Sequence, residues 1–241
     1  MGEQTRKITV YASGRILRCS TLTLKYKVPK DQIHVYVSDG TNSGRDANLD
    51  DFENPVLVSS PLDLDGDGVS DIDGPATRSY IKDVFSSLKN SLTSNDQLFV
   101  FITSHGGSDG VAGQNNYDCI VSLFNDEVVR DDELHSWTKE IPCPVAFAVE
   151  TCFSGGLCDD ITQTSERLIA TACNHMEFSY GRVGGGKWGS GGAGQTGAYN
   201  CWMMPLVVAF RGCIPRSAQY NNSYPWADGD PFDCSDWDLD D

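Results

Sequence analysis

Two short, almost uninterrupted hydrophobic runs constrain the fold of this chain more than any other feature. They are Leu98–Thr103 and Val145–Val149, and a polar residue follows each one. Strands that are covered on both faces have this pattern, because neither face needs polar positions for solvent. Before the first run, apolar residues recur every three or four positions along Ala76–Leu92, which is typical of a helix. We therefore predict two central strands of a largely parallel sheet.

The rest of the chain continues this alternation of strands and helices, which is typical of an α/β fold. Further helices are predicted at Asp131–Thr138 and Trp202–Arg211. Further strands are predicted at Ile8–Tyr11, Ile33–Val37 and Leu168–Ala172. The chain has 241 residues and no repeat or composition change that marks a domain boundary. We predict one domain over residues 1–241, with an acidic insert loop at 39–75 and an acidic tail at 225–241.

The charge of the chain argues against two classes of partner. Acidic residues outnumber basic ones by 34 to 18, so the net charge is −16. A field of this sign repels nucleic acid and anionic membranes, and it mildly favours cationic peptides or metal ions. No apolar run approaches the roughly eighteen residues that a membrane span needs. We predict no nucleic acid partner and no membrane span, and the sequence leaves the oligomeric state open.

The nine cysteines allow two interpretations. One free thiol with eight paired cysteines would indicate an oxidising compartment, outside the cell or within a lumen. Against this, the chain has no C-x-x-C pair, and free buried cysteine is a common core residue. Residues 1–7 do not resemble a signal peptide, so we expect either an intracellular protein or a cut chain.

A histidine and a cysteine follow the two central strands. His105 lies in Ser104-His105-Gly106-Gly107, and Cys152 lies in a segment that also ends in two glycines. If the strands are neighbours, both residues lie at the carboxyl edge of the sheet, where active sites gather. A histidine can raise the reactivity of a thiol and then protonate a leaving amine. Backbone N–H groups at Gly106 and Cys152 could stabilise an oxyanion. His175 is a weaker rival to His105.

These motifs and a third one occur in the order found in a known family. Ser104–Gly107 is similar to the histidine-glycine motif of legumain-like cysteine peptidases, and Glu150–Gly156 is similar to their Glu-Ala-Cys-x-Ser-Gly motif. Leu168–Tyr180 resembles the next strand of that family and its Glu-Ser-Ser-Tyr turn. The resemblance implies a caspase-like three-layer α/β/α fold with a mostly parallel sheet. It also implies endopeptidase activity on peptide or protein substrates through a thioester, often after zymogen cleavage.

The resemblance also implies a role for five residues of this chain. Cys152 is the nucleophile, His105 the general acid and base, and Gly106 an oxyanion donor. Glu150 would reach into the pocket for the residue before the scissile bond, and Ser179 would flank that pocket.

Two departures from the family affect the specificity pocket. Legumains carry an Asn-x-Arg-His segment after their first strand, and residues 14–29 are too short for it. The pocket aspartate expected shortly before Trp202 is also missing. The residue before the cut is therefore Asn or Asp, as in the family, or Lys or Arg, which an acidic pocket with Glu150 would suit.

Two other functions stay open. The short first loop favours a catalytically weak or inactive caspase-like calcium-binding interaction module. The nine cysteines suggest a thiol oxidoreductase, but the missing C-x-x-C counts against it.

An aspartate-rich segment resembles a calcium loop. Oxygen ligands recur at its positions 1, 3, 5 and 9, and glycine stands at position 6. Position 12 is Gly74 where a calcium loop has a bidentate glutamate. We predict a structural calcium ion and no organic cofactor; the alternative is a solvated acidic turn. The predicted ligands are Asp63, Asp65, Asp67 and Asp71.

Overall fold

The computed structural model describes residues 6–12, 22, 26–42, 44, 47–48, 57–59, 62–64, 66–108, 118–179, 181–183 and 198–200. Within them the chain is a mixture of strands and helices. The strands are β1 (Arg6–Ala12), β2 (Ile33–Tyr36), β3 (Ala47–Asn48), β4 (Leu57–Val58), β5 (Gln97–Thr103), β6 (Gly106–Ser108), β7 (Cys119–Ser122), β8 (Val128–Arg130), β9 (Val145–Glu150), β10 (Arg167–Thr171), β11 (Gly181–Val183) and β12 (Ala198–Asn200). The α-helices are α1 (Arg78–Ser91), α2 (Asp131–Thr138) and α3 (Leu157–Ile161), and short 3-10 turns lie at Lys30–Gln32, Phe124–Asp126 and Ser154–Gly156.

The main sheet has five strands in the order β10-β9-β5-β1-β2, and every neighbouring pair is parallel. The prediction of an α/β fold with a mostly parallel sheet is confirmed. The two hydrophobic runs of the sequence, Leu98–Thr103 and Val145–Val149, lie in the adjacent strands β5 and β9.

Both faces of this sheet are covered, as the hydrophobic runs predict. Val100 and Phe147 belong to a core cluster that includes Ile81, Phe85 and Leu88 of α1. The next residues along each strand, Phe101 and Ala148, belong to a second cluster with Leu22, Val28, Val35, Leu64 and Ile72. Because successive strand residues point to opposite faces, the two clusters lie on opposite sides of the sheet. This layering is compatible with a caspase-like fold.

A small antiparallel sheet continues from the end of β5. Its order is β6-β7-β8, and it was not predicted from the sequence. Gly106 and Gly107 have little intrinsic preference for a strand, so pairing with β7 imposes the extended conformation. The sheet holds the chain immediately after His105 in one position.

Some predictions fall on residues outside those described. They include the helix at Trp202–Arg211 and the acidic tail at 225–241, while the insert loop at 39–75 is described only in part. None of the helices within the described ranges is long and apolar enough to cross a membrane.

The cysteines do not follow the interpretation of one free thiol and eight cysteines paired in disulfides. Five of them are free thiols in the described part of the chain: Cys119, Cys143, Cys152, Cys158 and Cys173. Two of the five, Cys119 and Cys143, lie in the hydrophobic core, which fits the interpretation of cysteine as a small core residue.

Candidate active site

The register of β5 and β9 places the histidine and the cysteine side by side. Thr103 pairs with Glu150 at the carboxyl ends of these adjacent parallel strands. His105 lies two residues beyond Thr103, and Cys152 lies two residues beyond Glu150. Residues that are 47 positions apart in the chain therefore emerge at the same edge of the sheet.

The two strand ends are in direct backbone contact. A Cβ atom added to Gly106 would lie 2.3 Å from the carbonyl oxygen of Cys152 and 2.7 Å from Cβ of Thr151. Both distances are far below van der Waals contact, so glycine is required here to let the segments approach.

Hydrogen bonds fix the backbone on either side of His105. The Ser104 N–H donates to the Glu150 carbonyl at 3.1 Å, and the Ser104 hydroxyl donates to the Ser122 carbonyl at 2.7 Å. The Ser122 N–H in turn donates to the His105 carbonyl at 2.9 Å. The imidazole itself is exposed at the rim. A rigid backbone thus carries a side chain that can reach a bound molecule.

The β6–β7 ladder determines where the Gly106 N–H points. Gly106 is paired with Val121, next to the hydrogen-bonded pair of His105 and Ser122. Hydrogen-bonded and non-hydrogen-bonded pairs alternate along an antiparallel ladder. The Gly106 N–H therefore points away from β7, and it is not used in that ladder.

The Cys152 thiol is half-buried and contacts a carbonyl group. Its Sγ lies 3.6 Å from the carbonyl oxygen of Ser179, to which the thiol donates. Among the described residues no hydrogen bond joins His105 to Cys152. In this arrangement the thiol proton is directed at the Ser179 carbonyl and not at His105. Catalysis would therefore require the imidazole to approach the sulfur, as often happens only when substrate is bound.

The turn that precedes Ser179 is held against the segment after Cys152 by backbone contacts, which bring Ser179 to the thiol. The Phe153 N–H donates to the Glu177 carbonyl at 2.8 Å. A Cβ atom on Gly155 would lie 2.7 Å from backbone atoms of Asn174 and His175, so these segments also touch. The third motif therefore packs directly against the second, with Ser179 beside Cys152.

Residues 82–195 match the peptidase C13 family. The match includes all three motifs up to the turn at Ser179, and it confirms the resemblance to legumain-like cysteine peptidases. The members of that family are cysteine-type peptidases, which are hydrolases that act on protein. No curated protein matches the chain significantly in sequence.

One solved structure with some similarity is that of protein GSU0716 from Geobacter sulfurreducens. It shares 14% sequence identity at a TM-score of 0.33, and the alignment covers 61% of this chain and 50% of that chain. The chain thus spans about half the length of that protein. At this score the likeness carries no argument about fold or function.

Glu150 stands at the last position of β9. Its side chain is only 1% exposed, so any substrate group that it meets must enter the protein interior. Its assignment to the specificity pocket stays a prediction.

The sequence did not single out three other residues near the thiol. Cys173 Sγ lies 3.3 Å from the Thr151 carbonyl oxygen and 3.2 Å from that of Glu177. Phe153 and Phe178 form a ring pair whose centroids are 5.0 Å apart. All three residues lie within the second and third motifs. Because these motifs were predicted to meet at the active site, their residues could have been inferred to lie near the thiol.

Burial separates Cys119 from Cys152. Cys119 is 1% exposed, and burial raises the pKa of its thiol to about 12. Such a thiol is almost entirely protonated near neutral pH and reacts slowly. Its position in β7, behind the site, fits a packing role.

The predicted calcium ligands are described in part. Asp63 accepts the Gly66 N–H at 2.6 Å and the Gly68 N–H at 2.8 Å, which folds the loop around its carboxylate. Asp67 and Asp71 face a cation of the protein itself, because Lys30 Nζ lies 2.5 Å and 3.5 Å from their respective oxygens.

Asp65 lies outside the described residues. Within those that are described, no group of three or more His, Cys, Asp or Glu side chains is arranged to hold a metal ion. Calcium binding therefore stays a prediction.

Proposed function

We propose that this chain is a cysteine endopeptidase with Cys152 as its nucleophile and His105 as its general acid and base. The observation that carries the proposal is the register of β5 and β9, together with the contact between Gly106 and Cys152. A nucleophile, a base and an N–H that lies outside the β6–β7 ladder, all at one sheet edge, are the parts that acyl transfer needs.

The proposed reaction has two halves. His105 takes the thiol proton, and the Cys152 sulfur attacks the peptide carbonyl while the Gly106 N–H stabilises the oxyanion. The C–N bond then breaks as His105 protonates the leaving amine, which leaves a thioester. In the second half, water attacks the thioester, His105 accepts a proton from that water, and the acid product leaves as the thiol is restored.

The substrate residue before the cut is Asn or Asp, or Lys or Arg. Glu150 and Ser179 are the proposed determinants. The acidic side chain of Glu150 supports a cationic substrate residue, because opposite charges attract. The family resemblance supports Asn or Asp. Peptides that differ only at this residue distinguish the two.

The deciding experiment is hydrolysis of fluorogenic peptides that vary at the residue before the cut, before and after limited proteolysis. We expect turnover that Cys152→Ala abolishes and His105→Ala lowers by about 10²–10⁴-fold. Cys158→Ala and His135→Ala are matched controls, since Cys158 lies on α3 and His135 on α2, and neither belongs to the proposed catalytic or pocket residues. His175→Ala tests the rival histidine and should retain activity.

A second candidate is a catalytically weak or inactive interaction module with a structural calcium ion. The thiol's hydrogen bond to Ser179, in place of one to His105, favours it. Calcium would be held by Asp63, Asp65, Asp67 and Asp71, and it would offset their mutual repulsion. Failure of every peptide under every condition above would sink the peptidase and leave this candidate.

A further inference from the structure

Two aromatic side chains form a surface beside the candidate nucleophile. Phe178 is 59% exposed, and its ring packs edge-on against Phe153 with centroids 5.0 Å apart. We call Phe153 and Phe178 the aromatic ledge. Large apolar side chains that cluster at the surface mark binding sites more often than single ones do.

The ledge is continuous with the thiol. Phe153 directly follows Cys152, and Phe178 directly precedes Ser179, whose carbonyl oxygen lies 3.6 Å from Cys152 Sγ. The two segments are joined by the hydrogen bond from the Phe153 N–H to the Glu177 carbonyl. A peptide whose carbonyl carbon reaches the sulfur must therefore pass close to these rings.

The backbone at Phe153 adds a second argument. Its φ is +61°, in the left-handed region that favours glycine or asparagine and costs free energy for an aromatic residue. The ring packs partly against the core, and it also supports Phe178. The packing of the phenyl ring therefore explains why phenylalanine stands at a position whose backbone conformation favours glycine or asparagine.

We propose that the aromatic ledge is a substrate subsite for an apolar, preferably aromatic, side chain within two residues of the scissile bond. The inference rests on the proposed peptidase function and deepens it. An extended peptide rises about 3.3 Å per residue, so only side chains within about two positions of the bond can reach rings adjacent to the thiol. Ring-to-ring packing against Phe178 would cover surface that is now exposed.

The first test measures alkylation of Cys152 and needs no turnover. The rates for N-benzylchloroacetamide and chloroacetamide are compared by mass spectrometry of the Cys152 peptide. We expect the ratio of the two rates, benzyl reagent over chloroacetamide, to be about tenfold higher at Cys152 than for free glutathione. In Phe178→Ala this ratio should fall to within about twofold of the glutathione value. Leu168→Ala is the matched control, since Leu168 is 68% exposed but lies on the edge strand β10. An unchanged ratio in Phe178→Ala overturns the ledge.

The second test uses peptides with Phe, Leu, Ser or Asp at the two positions on each side of the cut. We expect about a tenfold preference in kcat/KM for Phe at one position, lost in Phe178→Ala and partly kept in Phe178→Leu. Phe178→Ala should lower kcat/KM less for serine-containing peptides than for phenylalanine-containing ones. If Phe178→Ala cleaves peptides with the same preference for Phe as wild type, the ledge is overturned and the peptidase is not. If Phe178→Ala loses the preference for the benzyl reagent but wild type cleaves no peptide, the peptidase is overturned and the ledge is not.

Discussion

Gly106 and Cys152 touch through their backbones, with the Cα of Gly106 facing the carbonyl oxygen of Cys152. A methyl group on Gly106 would fall 2.3 Å from that oxygen. Gly106→Ala must therefore separate the histidine segment from the cysteine segment. We expect kcat/KM to fall at least 100-fold, because a displacement of about 1 Å can cost that much.

Gly107→Ala is the control for this steric argument. A Cβ atom there meets only the Ile120 side chain, at 3.2 Å, and that side chain can adjust. We expect Gly107→Ala to keep its activity within a few-fold of wild type and a melting temperature close to that of wild type. Equal activity of Gly106→Ala and wild type would show that the contact does not position the site.

Thiol labelling should separate Cys152 from Cys119. Cys119 is buried with a raised pKa, whereas Cys152 is half-buried at the rim beside His105. We expect iodoacetamide at pH 7.5 to label Cys152 at least tenfold faster, because the thiolate is the reactive form.

His105→Ala should slow labelling of Cys152 and leave that of Cys119 unchanged. Mass spectrometry of the two peptides at several times gives both rates. Equal slowing at both thiols would point to a change in folding and not to loss of a base.

Asp131 should make the stability of the fold depend on pH. Burial raises the pKa of its carboxyl from 3.8 to about 6, although it accepts the N–H groups of Cys119 and Asp132. A pKa raised by folding stabilises the protein below the unfolded value and loses that effect as pH rises through about 6. Wild type should therefore lose about 1–2 kcal/mol from this group between pH 4 and pH 7, after allowance for solvent screening.

Asp131→Asn removes this titration. The free energy of unfolding in urea should be lowered most at pH 4, and the gap to wild type should narrow toward pH 7. Asp132→Asn, at an exposed position, corrects for the general effect of losing one charge. A gap that widens with pH would contradict the raised pKa.

Arg167 should contribute more stability than a surface arginine. Its guanidinium donates to the carbonyls of Cys143 at 3.0 Å, Ile141 at 2.9 Å and Thr138 at 3.1 Å. A lysine cannot reach three carbonyls in this geometry. We expect Arg167→Lys to lower the free energy of unfolding by about 2–4 kcal/mol, since hydrogen bonds to charged groups are worth about 1.5–3 kcal/mol each.

Arg78→Lys provides the comparison for Arg167. Arg78 forms an ion pair with Glu133 at the surface, and such pairs contribute about 0–1 kcal/mol. Urea denaturation of both variants measures the difference. Similar losses would show that the carbonyl contacts of Arg167 add little.

Calcium should stabilise the aspartate loop in competition with Lys30. The Lys30 ammonium already pairs with both Asp67 and Asp71 and offsets part of their charge, so Lys30→Met should strengthen calcium binding. Calcium at about 100 times its Kd adds about 2.7 kcal/mol, which is about 5–10 °C in Tm for a chain of this size.

Thermal melts with calcium, and with magnesium as the control cation, test this prediction. Asp67→Asn should weaken the effect. The absence of a calcium-specific shift in both wild type and Lys30→Met would leave the acidic turn, paired with Lys30, as the correct interpretation.

The elements with strong apolar patterns were predictable from the sequence. The predicted helix Asp131–Thr138 is α2, and the predicted strand Val145–Val149 is β9 apart from Glu150 at its end. Burial on both faces produces such patterns directly, so the positions of His105 and Cys152 at strand ends could also be inferred.

Features that arise from tertiary pairing were not predictable. β6 contains two glycines and forms because β7 pairs with it, and α3 has only five residues, too few for a periodic pattern. The register of β5 against β9 and the donation of the Cys152 thiol to Ser179 join distant segments, and no local pattern encodes either one.

The pairing of β5 with β9 also has a consequence for how the protein matures. Residues 104–144 separate the two strands, so closing this long loop comes before any productive meeting of histidine and thiol. A nascent or partly unfolded chain would have a cysteine without its base. The proposed peptidase activity therefore requires that this long-range strand pairing is complete, so that activity and a compact fold arise together.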